Sequence, residues 1–317
     1  MSDPKRATIK TIAQEANLTA NTVSLALRNS PLVKDETKKR ILEIAEKQGY
    51  VPNIMAESLR MGCSKMIALI FGDIGNPLFA IKIKKIEAAL WTHGYQVMIM
   101  DTDDDLSKEV DVVRSAIGRK VDGVVLSPCQ KGRDALDMMK KYRVPCVLVG
   151  KSLDDGQEDS VVWDNYTGAK LATNYLISLG CRRILCLLGG REVSTSHERH
   201  KGYLDALREA QLPVYDELQL RIAPDRIVEK LREYGEPFDG IFAFSDPFAW
   251  KAATIFRDIP IIGFDNVKSS LTMPFAIPSI AADLDLEASC IVDLLLKRIV
   301  DFDRPVSKKV IPVKLVL

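Results

Sequence analysis

Apolar residues in the first 50 positions recur at helical spacing and predict three short helices. Thr8 is placed to cap the first helix, one face of which carries Ile9, Ile12, Ala13 and Ala16. Asn17 follows, and Asn adopts the left-handed conformation of a tight turn more readily than most residues. Thr19 is placed to cap a second helix at 20–27. The pattern predicts a helix-turn-helix head, with a small three-helix bundle as the alternative.

A third helix and a short additional segment complete the first 62 residues. Asp35 is expected to cap this helix, and Gly49 to end it. Pro52 stops the helix, and Asn53 is placed to cap about two further helical turns. A helix this short is unstable alone in water, so it needs a twin copy or DNA as its partner. Leu59 would then wedge between base steps of the minor groove, and a plain linker is the alternative.

The rest of the chain alternates between apolar, β-branched runs and stretches of helical spacing. The runs predict strands at 66–71, 97–100, 121–126, 145–149, 184–188, 240–244, 260–264 and 309–317. The intervening stretches predict helices at 80–92, 108–118, 134–142, 166–179, 199–210 and 226–233. Near-continuous apolar strands between helices are typical of parallel sheets covered on both faces. We therefore expect an α/β core of two doubly wound lobes, with a ligand cleft at the carboxyl ends of their strands.

Three side chains that follow predicted strands are expected to line this cleft. Phe79 follows the strand at 66–71, Arg199 follows that at 184–188, and Asp265 directly follows that at 260–264. An aromatic ring, a guanidinium and a carboxylate suit a small polyhydroxy or heterocyclic ligand, which would stack on the ring and hydrogen-bond at its edge. Taken singly, each residue fits a surface charge or a core aromatic equally well. Their shared position at strand ends carries the hypothesis.

Composition and charge fit a protein that binds DNA through its N-terminal region. The chain has 317 residues, of which 47% are hydrophobic and 27% charged, as in ordinary globular proteins of two or three domains. Residues 1–62 hold ten Lys or Arg against seven Asp or Glu, whereas the whole chain has a net charge of +1. The sequence shows neither a membrane-spanning run nor a secretory signal, so we expect a cytoplasmic, nucleoid-associated protein without a membrane partner.

Motifs for catalysis or metal binding are weak. Gly72-x-x-Gly75 lacks the third glycine of a dinucleotide-binding loop, and His197-Glu198-Arg199-His200 does not have H-E-x-x-H spacing. The six cysteines form no C-x-x-C pair. We therefore expect no catalytic residue, no metal and no cofactor, and a protein that binds its ligand without turnover. A periplasmic sugar-binding protein is a rival interpretation, which the N-terminal head disfavours.

These residues resemble the lactose/galactose-repressor (LacI/GalR) family of bacterial transcriptional regulators over essentially the whole chain. In the head, the resemblance lies in Thr8-Ile9-Lys10, Ile12-Ala13, Ala16-Asn17-Leu18-Thr19, Thr22-Val23-Ser24 and Gly49-Tyr50-Val51-Pro52-Asn53. Asp73-Ile74, Asn76-Pro77, Asp164-Asn165, Arg199, Gly202-Tyr203 and Gly263-Phe264-Asp265-Asn266 are similar to motifs of the family's ligand-binding core. The resemblance implies a DNA-binding domain at 1–51, a hinge helix or linker at 52–62, and a periplasmic-binding-protein-like core at 63–317, which binds the effector and dimerises.

The resemblance also implies how such a protein works. A homodimer reads a pseudo-palindromic operator in double-stranded DNA, and a small molecule between the lobes, a sugar or related metabolite, controls operator affinity, so the chain is expected to be a repressor. The DNA-binding residues implied are Thr8, Thr19, Ala20, Asn21, Thr22, Ser24, Leu25, Arg28 and Asn29 in the head, and Asn53, Ala56 and Leu59 in the hinge. The effector-binding residues implied are Leu78, Phe79, Thr195, Arg199, Ser245 and Asp265.

Several positions depart from the family's usual pattern. Leu25 and Ala20 replace larger or polar residues on the recognition helix, so direct base reading would rest mainly on Asn21 with help from Arg28, and Leu25 would contact a thymine methyl. In the core, Val193, Gly150-Lys151 and the short segment 249–260 differ from the usual residues. These changes leave open an orphan regulator of the same fold that no longer responds to a ligand.

Overall fold

Three helices form the first of two units into which the chain divides, residues 1–64 and 65–317. The computed structural model describes residues 7–51, 62–130, 132–153, 156–190, 193–267 and 277–317. The three helices are α1 (Ile9–Ala16), α2 (Ala20–Leu27) and α3 (Asp35–Lys47). The apolar faces of these helices meet around Ile12, Val23 and Ile41, which are fully buried. The helical head predicted from the sequence is therefore confirmed.

Side-chain caps define the turn between α1 and α2. The Thr11 N–H donates to Thr8 Oγ1 at 3.2 Å and the Thr8 N–H donates to Thr11 Oγ1 at 3.0 Å, which forms a reciprocal capping box. Asn17 ends α1 with a φ of 51°, in the left-handed region expected for it. Thr19 then accepts the N–H of Thr22 at 3.1 Å and caps α2. The polar residues of this turn thus set the angle at which the two helices leave it.

Helix α3 starts differently from the prediction. Lys34 occupies the N-cap position and makes no side-chain cap, and Asp35 is the first helical residue. The prediction that Asp35 caps α3 is therefore wrong by one position, although its carboxylate still lies where the helix dipole favours negative charge. At the other end, Gly49 follows the helix with a φ of 63°, as expected of a residue beyond a helix terminus.

Two six-stranded sheets form the second unit. Their strands are β1 (Met66–Phe71), β2 (Gln96–Asp101), β3 (Gly123–Leu126), β4 (Cys146–Val149), β5 (Asp159–Trp163), β6 (Ile184–Gly189), β7 (Gln219–Ile222), β8 (Gly240–Ala243), β9 (Ile261–Phe264), β10 (Ser279–Ala282), β11 (Lys308–Ile311) and β12 (Val313–Val316). The first sheet has the order β11-β5-β4-β3-β1-β2 and its described pairs are parallel. The second has the order β12-β10-β9-β8-β6-β7, and β12 pairs antiparallel to β10.

Helices cover these sheets and divide the unit into two lobes. They are α4 (Pro77–Trp91), α5 (Leu106–Gly118), α6 (Asp134–Lys141), α7 (Asn165–Ser178), α8 (Ser194–Glu209), α9 (Ile227–Glu233), α10 (Asp246–Ala253) and α11 (Leu284–Val300). Helices α4, α5, α6 and α11 belong with the first sheet and form the first lobe, while α7 to α10 belong with the second sheet and form the second lobe. The chain passes between lobes after β5, β10 and β11. The predicted pair of doubly wound lobes is thus confirmed.

The single strand predicted at 309–317 is wrong. The segment forms two strands that belong to different sheets, β11 in the first and β12 in the second, with Pro312 between them. Proline has no N–H to donate to a sheet ladder, so pairing is interrupted at that residue and the chain can change sheets there. Strands β5, β7 and β10 were not predicted from the sequence pattern.

The lobes share one apolar core that continues across their junction. Trp163 at the end of β5 stacks on Phe264 at the end of β9, with ring centroids 6.3 Å apart. Helix α8 packs so closely on α7 that a Cβ added at Gly202 would lie 2.3 Å from the carbonyl oxygen of Tyr166. The close approach explains why residue 202 is a glycine. It also holds the N-terminal part of α8 in a defined place at the strand ends.

Candidate functional site

The first candidate site is the outward surface of α2 and its flanking turns. Of the residues that the family resemblance assigns to DNA, the exposed ones are Thr8, Thr19, Ala20, Asn21, Arg28 and Asn29. The Thr22 hydroxyl lies 2.8 Å from that of Thr19, so these two side chains are held together at the start of α2. Asn21 presents an amide, which offers both the donor and the acceptor needed at an adenine edge in the major groove.

Two of the assigned residues face inward. Ser24 is 7% exposed, and Leu25 packs against the core of the head. Arg28 folds back over the end of α2, where its Nε donates to the Ser24 carbonyl at 3.0 Å and its Nη2 to Ser24 Oγ at 3.4 Å. A phosphate contact by Ser24 would require Arg28 to move. The hinge residues Asn53, Ala56 and Leu59 lie outside the described residues.

The second candidate site is the cleft at the carboxyl ends of the strands. In the first sheet, β1 lies between β2 and β3, and in the second sheet β6 lies between β7 and β8. Strand order reverses at these positions, so the loops that follow diverge and leave a crevice in which ligands of such folds bind. The six predicted effector residues follow β1 (Leu78, Phe79), β6 (Thr195, Arg199), β8 (Ser245) and β9 (Asp265).

Arg199 is the centre of a buried polar network in the second lobe. Only 5% of the residue is exposed, and its Nε donates to Asn165 Oδ1 at 2.9 Å. Its Nη1 donates to the carbonyl of Phe244, and its Nη2 donates to Asp265 Oδ1 at 3.4 Å. The guanidinium carbon lies 3.6 Å from the ring centroid of Phe264 and 4.6 Å from that of Phe244. The arginine therefore ties the ends of β8 and β9 to α7.

Burial controls the ionisation of this pair. Burial raises the pKa of Asp265 to about 6, while the nearby Arg199 and Lys82 oppose this rise. Burial likewise lowers the pKa of Arg199 from its ordinary value, and the Asp265 carboxylate opposes that change. Asp265 has a φ of 100°, a left-handed conformation that costs a non-glycine residue about 1 to 3 kcal/mol. A charged, strained residue at a strand end is typical of binding sites.

The structure brings part of the predicted set together. Arg199 contacts Asp265 directly, Thr195 lies one turn earlier on α8, and Ser245 is joined to Phe244, whose carbonyl accepts from Arg199. Ser245 is the N-cap residue of α10 but makes no side-chain cap. In the first lobe, Leu78 is buried, and the Phe79 ring packs against Phe71 with centroids 5.4 Å apart. Among the described residues, no hydrogen bond, ion pair or ring contact joins these two to Arg199.

Sequence reasoning missed a buried ion pair beside this cleft. Lys82 Nζ on α4 donates to Glu287 Oε1 on α11 at 2.8 Å, and the two side chains are 4% and 2% exposed. The same Nζ lies 4.4 Å above the ring of Trp163, which stacks on Phe264. The indole N–H of Trp163 is buried and has no hydrogen-bond partner among the described residues. A lysine next to Ile83 in an otherwise apolar helix face was the signal that could have indicated it.

Three positions that depart from the family pattern, Gly150, Lys151 and Val193, lie among the described residues. Gly150 follows β4 with a φ of 74°, which favours glycine over the acidic residue usual there. Lys151 Nζ donates to Asp104 Oδ1 at 3.0 Å and forms an ion pair within the first lobe. Val193 is the N-cap of α8 and provides no side-chain cap.

Across the described part of the chain, no group of three His, Cys, Asp or Glu residues is placed to hold a metal ion, and no helix is long and apolar enough to cross a membrane.

Three family models match the chain. "Bacterial regulatory proteins, lacI family" matches residues 8–53, and "Periplasmic binding proteins and sugar binding domain of LacI family" matches residues 64–229. "Periplasmic binding protein-like domain" matches residues 173–317. The HTH-type transcriptional regulator DegA of Bacillus subtilis is 30% identical over 277 residues, which is 82% of each chain. The HTH-type transcriptional repressor CytR of Escherichia coli is 30% identical over 274 residues, 82% of this chain and 80% of CytR.

Solved structures share the fold. A lac repressor dimer bound to operator and the anti-inducer ONPF matches with a TM-score of 0.82 at 19% identity, over 99% of this chain and 98% of that one. A complex of the transcriptional regulator CelR with cellobiose matches with a TM-score of 0.72 at 24% identity, over 98% and 99%. The curated relatives are transcriptional regulators and not enzymes. The chain belongs to the LacI family of bacterial regulatory proteins, DNA-binding transcriptional regulators that small-molecule effectors control.

Proposed function

We propose that this chain is a transcriptional repressor that binds a pseudo-palindromic operator as a homodimer and releases or tightens its hold when a sugar or related metabolite enters the cleft. Helix α2 would read the major groove, mainly through Asn21, with exposed Thr19 and Arg28 beside it. Residues 52–62 would form the hinge, with Leu59 between base steps of the minor groove. The heads of two copies would occupy the two half-sites.

The observation that carries the effector proposal is the Arg199–Asp265 pair at the strand ends. A guanidinium that lies against two aromatic rings and the carboxylate bonded to it, both less than a tenth exposed, can bind the hydroxyl groups and ring of a sugar. Related proteins support this class: CelR was solved with cellobiose, and a LacI family regulator of Enterococcus faecium with ribose. Thr195, Ser245, Leu78 and Phe79 would complete the pocket.

Selection of duplexes from a random pool, with and without candidate effectors, tests the proposal. We expect a two-fold symmetric consensus, and loss of specific binding when residues 1–60 are removed. Isothermal titration against sugars, nucleosides and purines identifies the effector. The Arg199→Ala and Asp265→Asn variants should lose the effector response and keep operator affinity. Specific binding by the shortened chain would refute the DNA site, and an unchanged response in both variants would refute the pocket.

An orphan regulator that has lost ligand response is the second candidate, and one observation favours it. The donors of Arg199 are bonded to protein acceptors, and cations of the chain itself cover the faces of Phe264 and Trp163. A ligand would therefore displace existing contacts. The titration panel separates the candidates, because an orphan regulator would bind none of the compounds and would select the same duplexes in every condition.

The homodimer is tested by sedimentation of the purified chain at micromolar concentration. Exposed apolar side chains on the first lobe, Trp91 on α4 and Ile99 on the edge strand β2, support association through this lobe. We expect the mass of two copies, and Leu59→Ala should weaken operator binding far more than nonspecific binding. A monomer across the concentration range in which the operator is bound would contradict this part of the proposal.

A further inference from the structure

One glutamine of the first lobe makes a hydrogen bond to the second. Gln130 Oε1 accepts the backbone N–H of Ser194 at 3.0 Å and lies 3.4 Å from the Ser194 hydroxyl. The Gln130 Nε2 donates to the carbonyl of Ser152, and the Ser152 N–H donates to Ser194 Oγ at 3.3 Å. Gln130, Ser152 and Ser194 are hereafter called the cross-lobe bridge. The bridge joins loops after β3 and β4 to the first residue of α8.

The bridge connects the crevices of both sheets. Gln130 follows β3, which flanks the point where strand order reverses in the first sheet. Ser194 follows β6, which flanks the corresponding point in the second sheet. These are the edges of the crevice where ligands bind in doubly wound folds. The bridge therefore lies where the two lobes approach each other over the cleft.

The bond also supplies a helix cap that α8 lacks. The first N–H groups of a helix have no partner within it, and a side chain at the N-cap normally satisfies one of them. Val193 holds the N-cap position of α8 and cannot do so. Gln130 satisfies the Ser194 N–H instead, and it reaches that position with a φ of 60°, a left-handed conformation that few non-glycine residues adopt. Helix α8 carries Thr195 and Arg199 immediately afterwards.

We propose that Gln130 is a positioning residue: it caps α8 from the opposite lobe, and this bond sets the balance between closed and open lobes. The inference rests on the proposed function only in assigning α8 to effector binding. Opening the lobes breaks the bond and leaves the Ser194 N–H without its cap, so closure and capping occur together. A neutral hydrogen bond of this kind shifts the balance between the two states about three- to tenfold.

Matched substitutions separate the bond from the general packing of the loop. Gln130→Met keeps the length of the side chain and removes its polar atoms. Ser194→Pro removes the N–H and the hydroxyl but is compatible with the helix, since proline is favoured at the first helical position and Val193 already has the extended φ of −129° and ψ of 158° that precedes proline. Ser194→Ala is the control for Ser194→Pro, because both lose the hydroxyl that accepts from Ser152 and only alanine keeps the N–H. The Gln130→Met/Ser194→Pro double variant completes a cycle.

Fluorescence of Trp163 measures closure, since its ring stacks across the lobe junction on Phe264. In a background with Trp91→Phe and Trp250→Phe, we expect acrylamide to quench Trp163 more efficiently in Gln130→Met than in the parent and in Ser194→Pro than in Ser194→Ala. The increase should reach about three- to tenfold when the open state is the minor one. Ser194→Ala loses the hydroxyl that accepts from Ser152 but keeps the N–H bonded to Gln130, and Gln130→Met should add no further quenching to Ser194→Pro. Hydrogen exchange of the Ser194 amide in the parent chain and in Gln130→Met tests the bond itself, and exchange should be faster in the variant because the acceptor is gone.

Unchanged quenching and unchanged amide exchange in Gln130→Met would overturn the inference, as would additive effects in the double variant. Operator affinity of the same variants tests the proposed function separately. Raised quenching with unaltered operator affinity would support the bridge and contradict the proposed coupling between lobes and DNA. Loss of operator affinity without any change in quenching would overturn the role of Gln130 in closure.

Discussion

The buried Lys82–Glu287 pair gives a prediction in which each single substitution destabilises the chain far more than the double substitution does. The nitrogen and oxygen are 2.8 Å apart, and the side chains are 4% and 2% exposed. Removing one partner leaves the other as an unpaired charge out of water, which costs about 3 to 5 kcal/mol of unfolding free energy. Replacing both with apolar residues of similar volume is neutral or stabilising by about 1 to 4 kcal/mol. The cation over Trp163 is lost as well, at about 2 kcal/mol for a desolvated site.

We therefore expect Lys82→Met and Glu287→Leu each to lower the unfolding free energy by about 3 to 5 kcal/mol. The double variant should lie within about 2 kcal/mol of the parent. Urea unfolding followed by tryptophan fluorescence measures this selectively, because Trp91, Trp163 and Trp250 are the three tryptophans of the chain and all belong to the second unit. The coupling between the two sites should then exceed about 3 kcal/mol.

The chain offers a matched control on the same two helices. Lys85 on α4 pairs with Asp285 on α11 at 2.8 Å, but their side chains are 41% and 77% exposed. Lys85→Met should cost less than about 1 kcal/mol, because water screens an exposed pair and solvates the remaining partner. Additive single and double effects at Lys82 and Glu287, or single effects as small as that of Lys85→Met, would refute the reasoning from desolvation.

Three further predictions concern individual residues. The pKa of Asp265 is about 6 in the folded chain against an ordinary value of 3.8, so the folded state binds more protons than the unfolded state between these values. The contribution of this group to stability therefore falls as the pH rises from about 4 to 6. In urea unfolding, Asp265→Asn should remove up to about 3 kcal/mol of that pH dependence. Asn17→Ala should destabilise the head by about 1 kcal/mol while Asn17→Gly stays within a few tenths, measured by amide exchange of α1, because the site has a φ of 51°. Arg199→Lys should lower the unfolding free energy by about 2 to 4 kcal/mol and abolish any calorimetric effector signal. The reason is that an ammonium cannot make the three hydrogen bonds to Asn165, Phe244 and Asp265. Full retention of stability would contradict the network.

Local chemistry made the head predictable. Thr8, Asn17 and Thr19 have functions that depend on neighbours within three or four residues, and a single sequence displays such relations directly. The buried apolar strands β1, β3 and β6 could also be predicted from the sequence, because continuous apolar runs between helices are typical of strands covered on both faces. Strands β5, β7 and β10 were missed for the opposite reason. Their residues Asp159, Gln219 and Ser279 give weaker patterns, and tertiary pairing decides their conformation.

The candidate cleft could be predicted only in part. Arg199 and Asp265 follow strands, so topology alone places them at the same edge, and the structure joins them by a hydrogen bond. Lys82 and Glu287 are 205 residues apart, and neither follows a strand directly. Their pairing depends on how α11 returns to pack on α4 after the second lobe is complete. No pattern within either helix carries that information, so an apolar face interrupted by one lysine was the only indication.

Val193, one of the departures from the family pattern, lies at a contact that joins the two lobes beside the cleft. Val193 leaves α8 without a cap of its own, and a helix that begins uncapped loses about 1 kcal/mol relative to one with Ser, Thr, Asp or Asn at that position. The acceptor comes from Gln130 on the other lobe, so the cap exists only while the lobes are together. Most helices satisfy their first N–H groups with nearby side chains, whereas the Ser194 N–H of α8 has its acceptor only while the lobes are closed. A substitution that gives α8 a local cap, Val193→Asp, would accept the N–H of the second or third helical residue and not the Ser194 N–H that Gln130 accepts. The variant should therefore gain about 1 kcal/mol of stability to urea in both states and keep the Trp163 quenching of the parent. Raised quenching would contradict the assignment of the closure balance to the Ser194 bond.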